Sequence, residues 1–150
     1  MKAIGRHIIL EMWGCQNLDS VQTAEQALRE MVVALDVNLL DLRVYPFSPV
    51  GVTGIAIVSE SHLVIHTWPE HGYAAVDIFT CGEPRDPHAA VEVLHQHYDP
   101  ERMTVMEINR GQLDPPGGRA TGARGRSSGT LARSDHRARA LSVQGAGSRS

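Results

Sequence analysis

Side chains that can act as nucleophiles, acids, bases or metal ligands are concentrated between positions 59 and 83. His62 and His66, with Glu70 nearby, have a spacing that would suit zinc on a helix, where residues four apart share one face. The intervening Leu-Val-Ile and the following Trp-Pro favour a strand instead, which would hold the two imidazoles about 13 Å apart. We therefore predict no metal site.

Two other kinds of active site can be built from the same region. Ser61, His66 and Asp77 are the residue types of a hydrolase triad, but the glycine-flanked turn that exposes such a serine is missing. Cys81 could act as a catalytic thiol in histidine-rich surroundings, although a lone cysteine at a strand end is more often a small buried apolar residue. Spacing alone disfavours the triad and favours a structural Cys81.

A fourth possibility is that Ser61 reacts with its own backbone. A serine hydroxyl held against the carbonyl of Glu60 at a strained junction can convert the amide to an ester. Elimination and hydrolysis would then leave a pyruvoyl group in place of Ser61. Such a ketone forms a Schiff base with a substrate amine and delocalises the charge that develops on decarboxylation. Composition alone does not select this option.

Hydrophobic periodicity and turn residues predict the elements that position these side chains. Six strands and two helices follow in the order βαββββαβ, with strands over residues 7–13, 38–45, 52–59, 62–67, 73–79 and 103–108. Asp19, with Gln22 three residues later, is the predicted cap of the first helix, and Asp86 with Pro87 begins the second. The apolar stripe of the first helix comprises Val21, Ala24, Leu28, Met31, Val32 and Leu35.

The short turns between the middle strands favour a mainly antiparallel sheet. The predicted fold is α+β, a two-layer sandwich with both helices on one face of the sheet. Gly51 and Gly54 lack the glycine pattern and the lysine of a phosphate-binding loop, and they lead into a strand. A parallel nucleotide-binding sheet is therefore excluded.

Charge is distributed unevenly along the 150 residues. Residues 1–111 contain 7 Lys/Arg and 15 Asp/Glu, a balance of −8, whereas residues 112–150 contain 7 Arg and 2 Asp, a balance of +5. The last 39 residues also hold 7 Gly, 2 Pro and 6 Ser, with too few large apolar groups to offset the cost of ordering. We predict a folded domain over 1–111 and a disordered Arg/Gly/Ser-rich tail over 112–150. Because this tail has no interleaved aromatics, we interpret it as passive rather than as a nucleic-acid partner.

The remaining composition predicts a cytoplasmic protein. No run of eighteen apolar residues predicts a membrane helix, and the first residues lead into an alternating stretch rather than a signal-peptide core. Cys15 and Cys81 lack the spacing of a metal or redox motif, so both are expected to be free thiols.

The sequence resembles the short prokaryotic S-adenosylmethionine decarboxylases, which are self-processing pyruvoyl enzymes. The resemblance extends from Gly5-Arg6-His7 to Arg110-Gly111. Between these ends it is carried by Pro49-x-Gly51-Val52-Thr53-Gly54, Ser59-Glu60-Ser61-His62-Leu63, Ile65-His66-Thr67-Trp68-Pro69-Glu70, Gly72-Tyr73-Ala74-Ala75-Val76-Asp77 and Phe79-Thr80-Cys81-Gly82. It implies decarboxylation of S-adenosylmethionine to S-adenosylmethioninamine, the aminopropyl donor for spermidine biosynthesis.

The resemblance also implies a role for each catalytic residue. The chain would cut itself between Glu60 and Ser61 into a β chain of residues 1–60 and an α chain of 61–150, which begins with the pyruvoyl group derived from Ser61. His66 would be the base in processing. Thr53 lies where the family commonly has serine, whose hydroxyl assists processing. Cys81 would return a proton to the substrate α-carbon, which requires a protonated thiol.

Substrate-binding residues and assembly are implied in the same way. Phe47 would stack on adenine and Glu70 would bind the ribose hydroxyls, with Trp68 and Leu63 completing the pocket. The family further implies an αββα dimer, (αβ)₂ after cleavage, with its sites completed at the subunit interface. In an unbroken strand Ser61 and His66 would project to opposite faces, so we expect a bend and strain at the Glu60-Ser61 junction.

Two other functions remain open at this point. A pyruvoyl decarboxylase of another amino acid, such as ornithine or arginine, would need the same ketone, although Phe47 and Glu70 favour a nucleoside substrate. An unprocessed, non-catalytic relative that binds nucleosides or partners is the other, and the intact set of Ser61, His66 and Cys81 disfavours it.

Overall fold

The computed structural model describes residues 3–59, 61–81, 86, 88–113 and 141–144. The strands are β1 (Ala3–Trp13), β2 (Leu39–Pro46), β3 (Val52–Val58), β4 (Ser61–Trp68), β5 (Tyr73–Cys81), β6 (Arg102–Gln112) and β7 (Leu141–Gln144), and the helices are α1 (Val21–Ala34) and α2 (His88–Tyr98). A single 3₁₀ turn, Pro69–His71, joins β4 to β5. Over residues 3–113 the order of strands and α-helices is the predicted βαββββαβ.

The strands form one sheet in the order β2-β3-β4-β5-β1-β6-β7, and every neighbouring pair is antiparallel. The predicted α+β class and antiparallel sheet are therefore confirmed. Short turns connect β2 through β5 in sequence order, while β1 pairs with both β5 and β6 in the other half. Ser61 and Cys81 are thereby brought onto neighbouring strands at one end of the sheet.

The N-cap of helix α1 lies one residue later than predicted. Ser20 is the N-cap, and its hydroxyl accepts a hydrogen bond from the Thr23 backbone N–H at 3.0 Å. The prediction of Asp19 as the cap was wrong, because the carboxylate of Asp19 instead accepts the backbone N–H of Gly51, 32 positions away. A contact so distant in sequence leaves no local signal, and Ser20 satisfies the helix end equally well.

Both helices contribute to one hydrophobic core on one face of the sheet. Five predicted members of the α1 stripe are buried there, namely Ala24, Leu28, Met31, Val32 and Leu35. Val21 is the exception, since it lies 37% exposed at the first turn. Residues of α2, including the fully buried Leu94 and Tyr98, complete the same core.

The other face of the sheet, here called the open face, carries no helix within the described part of the chain. Alternation along the strands places partly buried apolar side chains on it, among them Ile9, Ile55 and Val64, and an exposed Ile57. An antiparallel sheet whose free face contacts water normally has polar residues there. This face is therefore suited to cover by another surface.

Some predictions fall partly or wholly outside the described residues. These include Glu60, Pro87 at the start of α2, and most of the tail. The Asp86 carboxylate does accept the backbone N–H of His88, the first residue of α2, at 2.9 Å. Within the tail, β7 pairs with the Arg102–Val105 segment of β6, which the sequence did not predict, and disorder elsewhere in 112–150 stays a prediction.

Candidate functional site

Ser61 and Cys81 lie at the end of the sheet where β4 begins and β5 ends. Ser61 is the first residue of β4 and stands opposite Val58 on one side and Thr80 on the other. Cys81 follows Thr80 directly and pairs with Gly5 of β1. The Ser61 hydroxyl lies 3.2 Å from Nδ1 of His62. With a φ of 157° Ser61 is close to extended, and because Glu60 is not described, the expected strain at this junction stays a prediction.

The open face next to Cys81 holds a cluster of imidazole, carboxylate and guanidinium groups around one aromatic ring. Phe79 contacts the rings of His7 and His62, with centroids 5.7 and 5.8 Å away. Nε2 of His7 lies 2.9 Å from a carboxylate oxygen of Asp77. The guanidinium of Arg110 lies 5.6 Å from the Phe79 centroid. Asp77 is thus paired with His7 and takes no part in a triad with Ser61 and His66.

Thr53 and His66 form a hydrogen-bonded pair further along the open face. They stand opposite each other on β3 and β4, with Thr53 Oγ1 2.9 Å from His66 Nδ1. His66 also contacts Trp68, whose ring centroid lies 6.1 Å away. The predicted processing residues Thr53 and His66 are therefore brought together, as a serine or threonine hydroxyl and an imidazole must be for proton transfer.

The predicted nucleoside-binding residues lie beyond this pair, on the two turns at the far end of the sheet. Phe47 follows β2 and is 57% exposed. Glu70 is in the exposed 3₁₀ turn that follows Trp68. The β2–β3 turn lies against the β4–β5 turn, because a Cβ placed on Gly51 would be 3.5 Å from Pro69. Phe47, Trp68 and Glu70 therefore occupy the same end of the sheet.

Leu63 does not lie with the other predicted binding residues. Its side chain is completely buried in the core on the helix side of the sheet, whereas Trp68 is 39% exposed on the open face. The odd and even positions of β4 project to opposite faces, which explains the separation. The structure thus gives Leu63 the place of a core residue.

The predicted site residues fall into two groups at opposite ends of one sheet. Ser61 and His66 are five steps apart on β4, or about 16 Å, and alternation directs them to opposite faces, as the sequence predicts. Ser61 and Trp68 are seven steps apart, or about 23 Å. One copy of the chain therefore does not assemble all the predicted residues around one point.

An aromatic row on the open face was not predicted from the sequence. Trp68 stacks on Tyr73 at 5.2 Å, Tyr73 contacts Trp13 at 5.7 Å, and the guanidinium of Arg102 lies 4.0 Å over Trp13. The Tyr73 hydroxyl donates a hydrogen bond to Glu11. Burial, followed by this hydrogen bond and the Glu11 charge, raises the pKa of Tyr73 to about 12. Alternation along each strand predicts that these side chains share one face of the sheet, but only the strand order shows that they are neighbours.

The described residues also bear on other classes of function. Across residues 3–113, less the few positions that are not described, no group of three His, Cys, Asp or Glu side chains is arranged to hold a metal ion. Neither α1 nor α2 has the length and hydropathy needed to cross a bilayer. Cys15 and Cys81 are both free thiols, as expected from their spacing.

Comparison with known proteins identifies the family. The family model for S-adenosylmethionine decarboxylase matches residues 6–111. The chain belongs to the S-adenosylmethionine decarboxylase family. A relative from Thermomicrobium roseum, the S-adenosylmethionine decarboxylase proenzyme, is 58% identical over 114 residues, covering 75% of this chain and 98% of the relative. A Methanococcus maripaludis proenzyme of the same name is 48% identical over 116 residues, 76% of this chain and 95% of its own length.

A solved structure of the same family supports the fold. The crystal structure of the adenosylmethionine decarboxylase from Aquifex aeolicus superposes with a TM-score of 0.72 and 31% identity, covering 79% of this chain and 99% of that one. The S-adenosylmethionine decarboxylase family is pyruvoyl-dependent, with the pyruvoyl group derived from a serine by self-cleavage. The family, the enzyme class and the cofactor expected from the sequence are thereby confirmed.

Proposed function

We propose that this chain decarboxylates S-adenosylmethionine to S-adenosylmethioninamine, for spermidine biosynthesis, after cutting itself between Glu60 and Ser61. The observation that carries the proposal is the family match over 6–111, which contains every residue of the predicted site. The products of the cut are a β chain of 1–60 and an α chain of 61–150. The cytoplasm is its proposed location, where thiols such as the free Cys15 and Cys81 stay reduced.

The position of Ser61 suits a residue that becomes a new chain end. β4 begins at Ser61 and is hydrogen-bonded to β3 on one side and to β5 on the other. A cut immediately before Ser61 would therefore leave the new end fixed within the sheet. Ser61 is partly buried, and its hydroxyl lies 3.2 Å from Nδ1 of His62, which could bind a ketone oxygen at the same place. The residues present thus fit a pyruvoyl group at position 61.

In processing, Ser61 Oγ attacks the Glu60 carbonyl carbon, and the peptide C–N bond breaks to give an ester. A base then removes the Ser61 α-proton, and the Glu60 carboxylate leaves from Cβ, which gives a dehydroalanine at position 61. Tautomerisation to an imine and hydrolysis by water give the pyruvoyl ketone and release ammonia. His66 is the proposed base, with Thr53 Oγ1 holding its Nδ1 at 2.9 Å. In the tautomer whose Nδ1–H donates to Thr53 Oγ1, Nε2 has no proton and can accept the one from Ser61.

In decarboxylation the pyruvoyl ketone supplies an electron sink for the pair released as carbon dioxide leaves. Cys81 is the proposed acid that donates its thiol proton to the substrate α-carbon. It follows Thr80, the partner of Ser61, so the backbones of Ser61 and Cys81 lie at the same end of the sheet, with the Cys81 side chain on the open face. Phe47 is proposed to stack on the adenine ring and Glu70 to bind the ribose hydroxyls, with Trp68 completing the pocket.

We further propose that each site is shared between two copies of the chain. Ser61 and Cys81 lie at one end of the sheet and Thr53, His66, Phe47 and Glu70 toward the other, about 16 Å or more apart. A two-fold axis through paired open faces would place Cys81 and the start of β4 of one copy beside the second end of its partner. The bend expected at the Glu60-Ser61 junction would then turn Ser61 toward this contact. The apolar residues Ile9, Ile55, Ile57 and Val64 would be covered by the same contact.

Intact-mass measurement of the purified chain tests the proposed function. We expect two fragments that meet at the Glu60-Ser61 bond and release of carbon dioxide from S-adenosylmethionine but not from ornithine or arginine. Ser61→Ala should remain one full-length chain without carbonyl reactivity, whereas Cys81→Ala should process and then decarboxylate poorly. A single uncleaved wild-type chain would contradict the proposal.

Co-expression of two inactive variants tests the shared site. In a mixed dimer of Ser61→Ala and His66→Ala, one site combines Ser61 of the His66→Ala chain with His66 of the other. We therefore expect the His66→Ala chain to be cleaved only when the Ser61→Ala chain is present. His66→Ala co-expressed with a Ser61→Ala/His66→Ala double variant is the matched control, in which no chain should be cleaved. Cleavage of His66→Ala expressed alone would contradict the role of His66.

A further inference from the structure

The side chain of Thr67 joins three segments of the chain beneath the turn that carries Phe47. Thr67 is the buried polar residue of the described core. Its hydroxyl donates a hydrogen bond to the Leu18 carbonyl at 2.7 Å and accepts the Val52 backbone N–H at 2.8 Å. The start of β3 is thereby tied both to β4 and to the segment before α1.

A second hydrogen bond fixes the same turn from the side of the helix. The Asp19 carboxylate accepts the Gly51 backbone N–H at 2.7 Å. The Gly51 carbonyl in turn accepts the Phe47 N–H at 2.7 Å, which closes the turn over residues 47–51. Gly51 has a φ of 104°, and a Cβ there would lie 2.9 Å from the Thr67 carbonyl, so only glycine allows this approach.

The ring of Phe47 depends on this backbone for its position. It is 57% exposed, and in the described part of the molecule no other ring or cation stacks on it. A side chain that is more than half exposed and stacks on no other ring depends for its position on the turn that carries it. If the turn were free, ordering it would reduce the free energy gained from stacking on adenine.

We infer that Asp19 and Thr67 are positioning residues that hold the 47–51 turn so that Phe47 is already placed for the nucleoside of the substrate. The inference rests on the proposed role of Phe47 and extends it to two residues that do not touch the substrate. The Thr67 side chain is buried on the helix side of the sheet, whereas the side chains of His66 and Cys81 project from the open face. Loss of either residue should therefore weaken substrate binding more than it slows the chemical step.

Steady-state kinetics of the full-length, processed enzyme tests the inference. We expect Asp19→Ala to raise the KM for S-adenosylmethionine about three- to tenfold with kcat within about twofold, the size expected for loss of one hydrogen bond. Asp19→Asn keeps an acceptor oxygen and should restore most of the affinity. Thr67→Val should resemble Asp19→Ala, and Thr67→Ser should resemble the wild type, since serine keeps the hydroxyl.

A charge control separates positioning from attraction of the sulfonium cation. Glu25 is an exposed carboxylate on α1 that pairs with Arg29 and does not contact the turn. Glu25→Gln and Asp19→Asn each remove one negative charge, and we expect neither to change KM by more than about twofold. If both raised KM as much as Asp19→Ala, the effect would be one of charge, and the inference would be overturned.

A double variant shows whether the positioning inference or the proposed role of Phe47 is wrong. Phe47→Ala should raise KM, and adding Asp19→Ala to it should raise KM little further, because the turn then carries no ring. If Phe47→Ala raises KM while Asp19→Ala and Thr67→Val do not, the positioning inference is wrong and the role of Phe47 stands. If Phe47→Ala leaves KM unchanged, both are wrong.

Discussion

At the scale of single residues, the Thr53–His66 hydrogen bond links two side chains that the family resemblance had suggested separately. We predict that Thr53→Ser processes at least as fast as the wild type, because the hydroxyl stays and the methyl that restricts χ1 is lost. Thr53→Val has nearly the same shape but no hydroxyl, and loss of one hydrogen bond, about 1 kcal/mol, predicts processing slowed several-fold to tenfold.

The rate of appearance of the two fragments after cell-free synthesis checks this prediction. Thr23→Val is a suitable control, since Thr23 Oγ1 also makes a hydrogen bond, to Ser20, but lies in α1. Processing of Thr53→Val at the wild-type rate would show that the hydroxyl has no role. In that case a wild-type processing rate in Thr53→Ser would not be informative, so the rates of both variants are measured under the same conditions.

The raised pKa of Tyr73 predicts how the free energy of unfolding changes at alkaline pH. Burial and Glu11 raise the pKa of this phenol to about 12, above its ordinary value of 10.0. The unfolded chain therefore loses the phenolic proton first as pH rises, so stability falls between about pH 10 and pH 12. Tyr73→Phe should remove this part of the pH dependence while leaving the rings of Trp13 and Trp68 in contact with an aromatic neighbour.

Denaturant unfolding between pH 9 and pH 11.5 measures this difference. Both chains should carry Cys15→Ala, because burial raises the pKa of that thiol to about 11 and its titration would overlap. We expect the free energy of unfolding to fall less steeply above pH 10 in Tyr73→Phe than in its parent. Parallel curves for the two chains would contradict the role assigned to Glu11 and burial.

At the scale of elements, the contact of α1 with β3 depends on Gly54. A Cβ at this position would lie 2.7 Å from Cδ1 of Leu28, which is completely buried. Gly54→Ala should therefore overpack the interface and lower the free energy of unfolding by about 1–3 kcal/mol. Combination with Leu28→Val, which shortens the opposing side chain, should cost less than the sum of the two single changes.

Chemical unfolding of the four chains in this cycle gives the coupling directly. Additive effects would show that the helix moves away without strain, contrary to the prediction. Gly111 is a less informative position for the same substitution, because its φ of 63° would strain alanine whatever the space. Gly54 has no positive φ, so the effect there reports packing.

The sequence predicted the elements better than it predicted their ends. Turn residues and apolar alternation identify all six strands of residues 3–113, because both signals are local. β1 begins at Ala3 rather than His7, and β6 runs to Gln112 rather than Ile108, because these segments pair with each other. Alternation also predicted that Ser61 and His66 face apart, whereas the Asp19–Gly51 contact depends on tertiary structure and left no signal.

At the scale of the whole molecule, the family match ends where β6 ends. The family model stops at residue 111, and the Thermomicrobium roseum relative is covered almost completely by 114 residues of this chain. We predict that a chain ending after Leu113 still processes itself and decarboxylates S-adenosylmethionine, with rates within about twofold of the full chain. Its formal charge would be −8 instead of −3, because residues 114–150 carry 7 Arg and 2 Asp.

The truncation also removes β7 and leaves the β6 edge at Arg102–Val105 without a partner. Val143→Pro in the full chain separates this effect from charge, because proline cannot donate to the ladder and the basic residues remain. If the truncated chain binds an anionic matrix more weakly than the full chain and Val143→Pro does not, the binding depends on the charge of the tail. If both variants self-associate more than the full chain, β7 protects the edge of β6, since an unpaired strand can pair with another chain. Loss of processing in the truncated chain would show that the catalytic unit extends beyond residue 113.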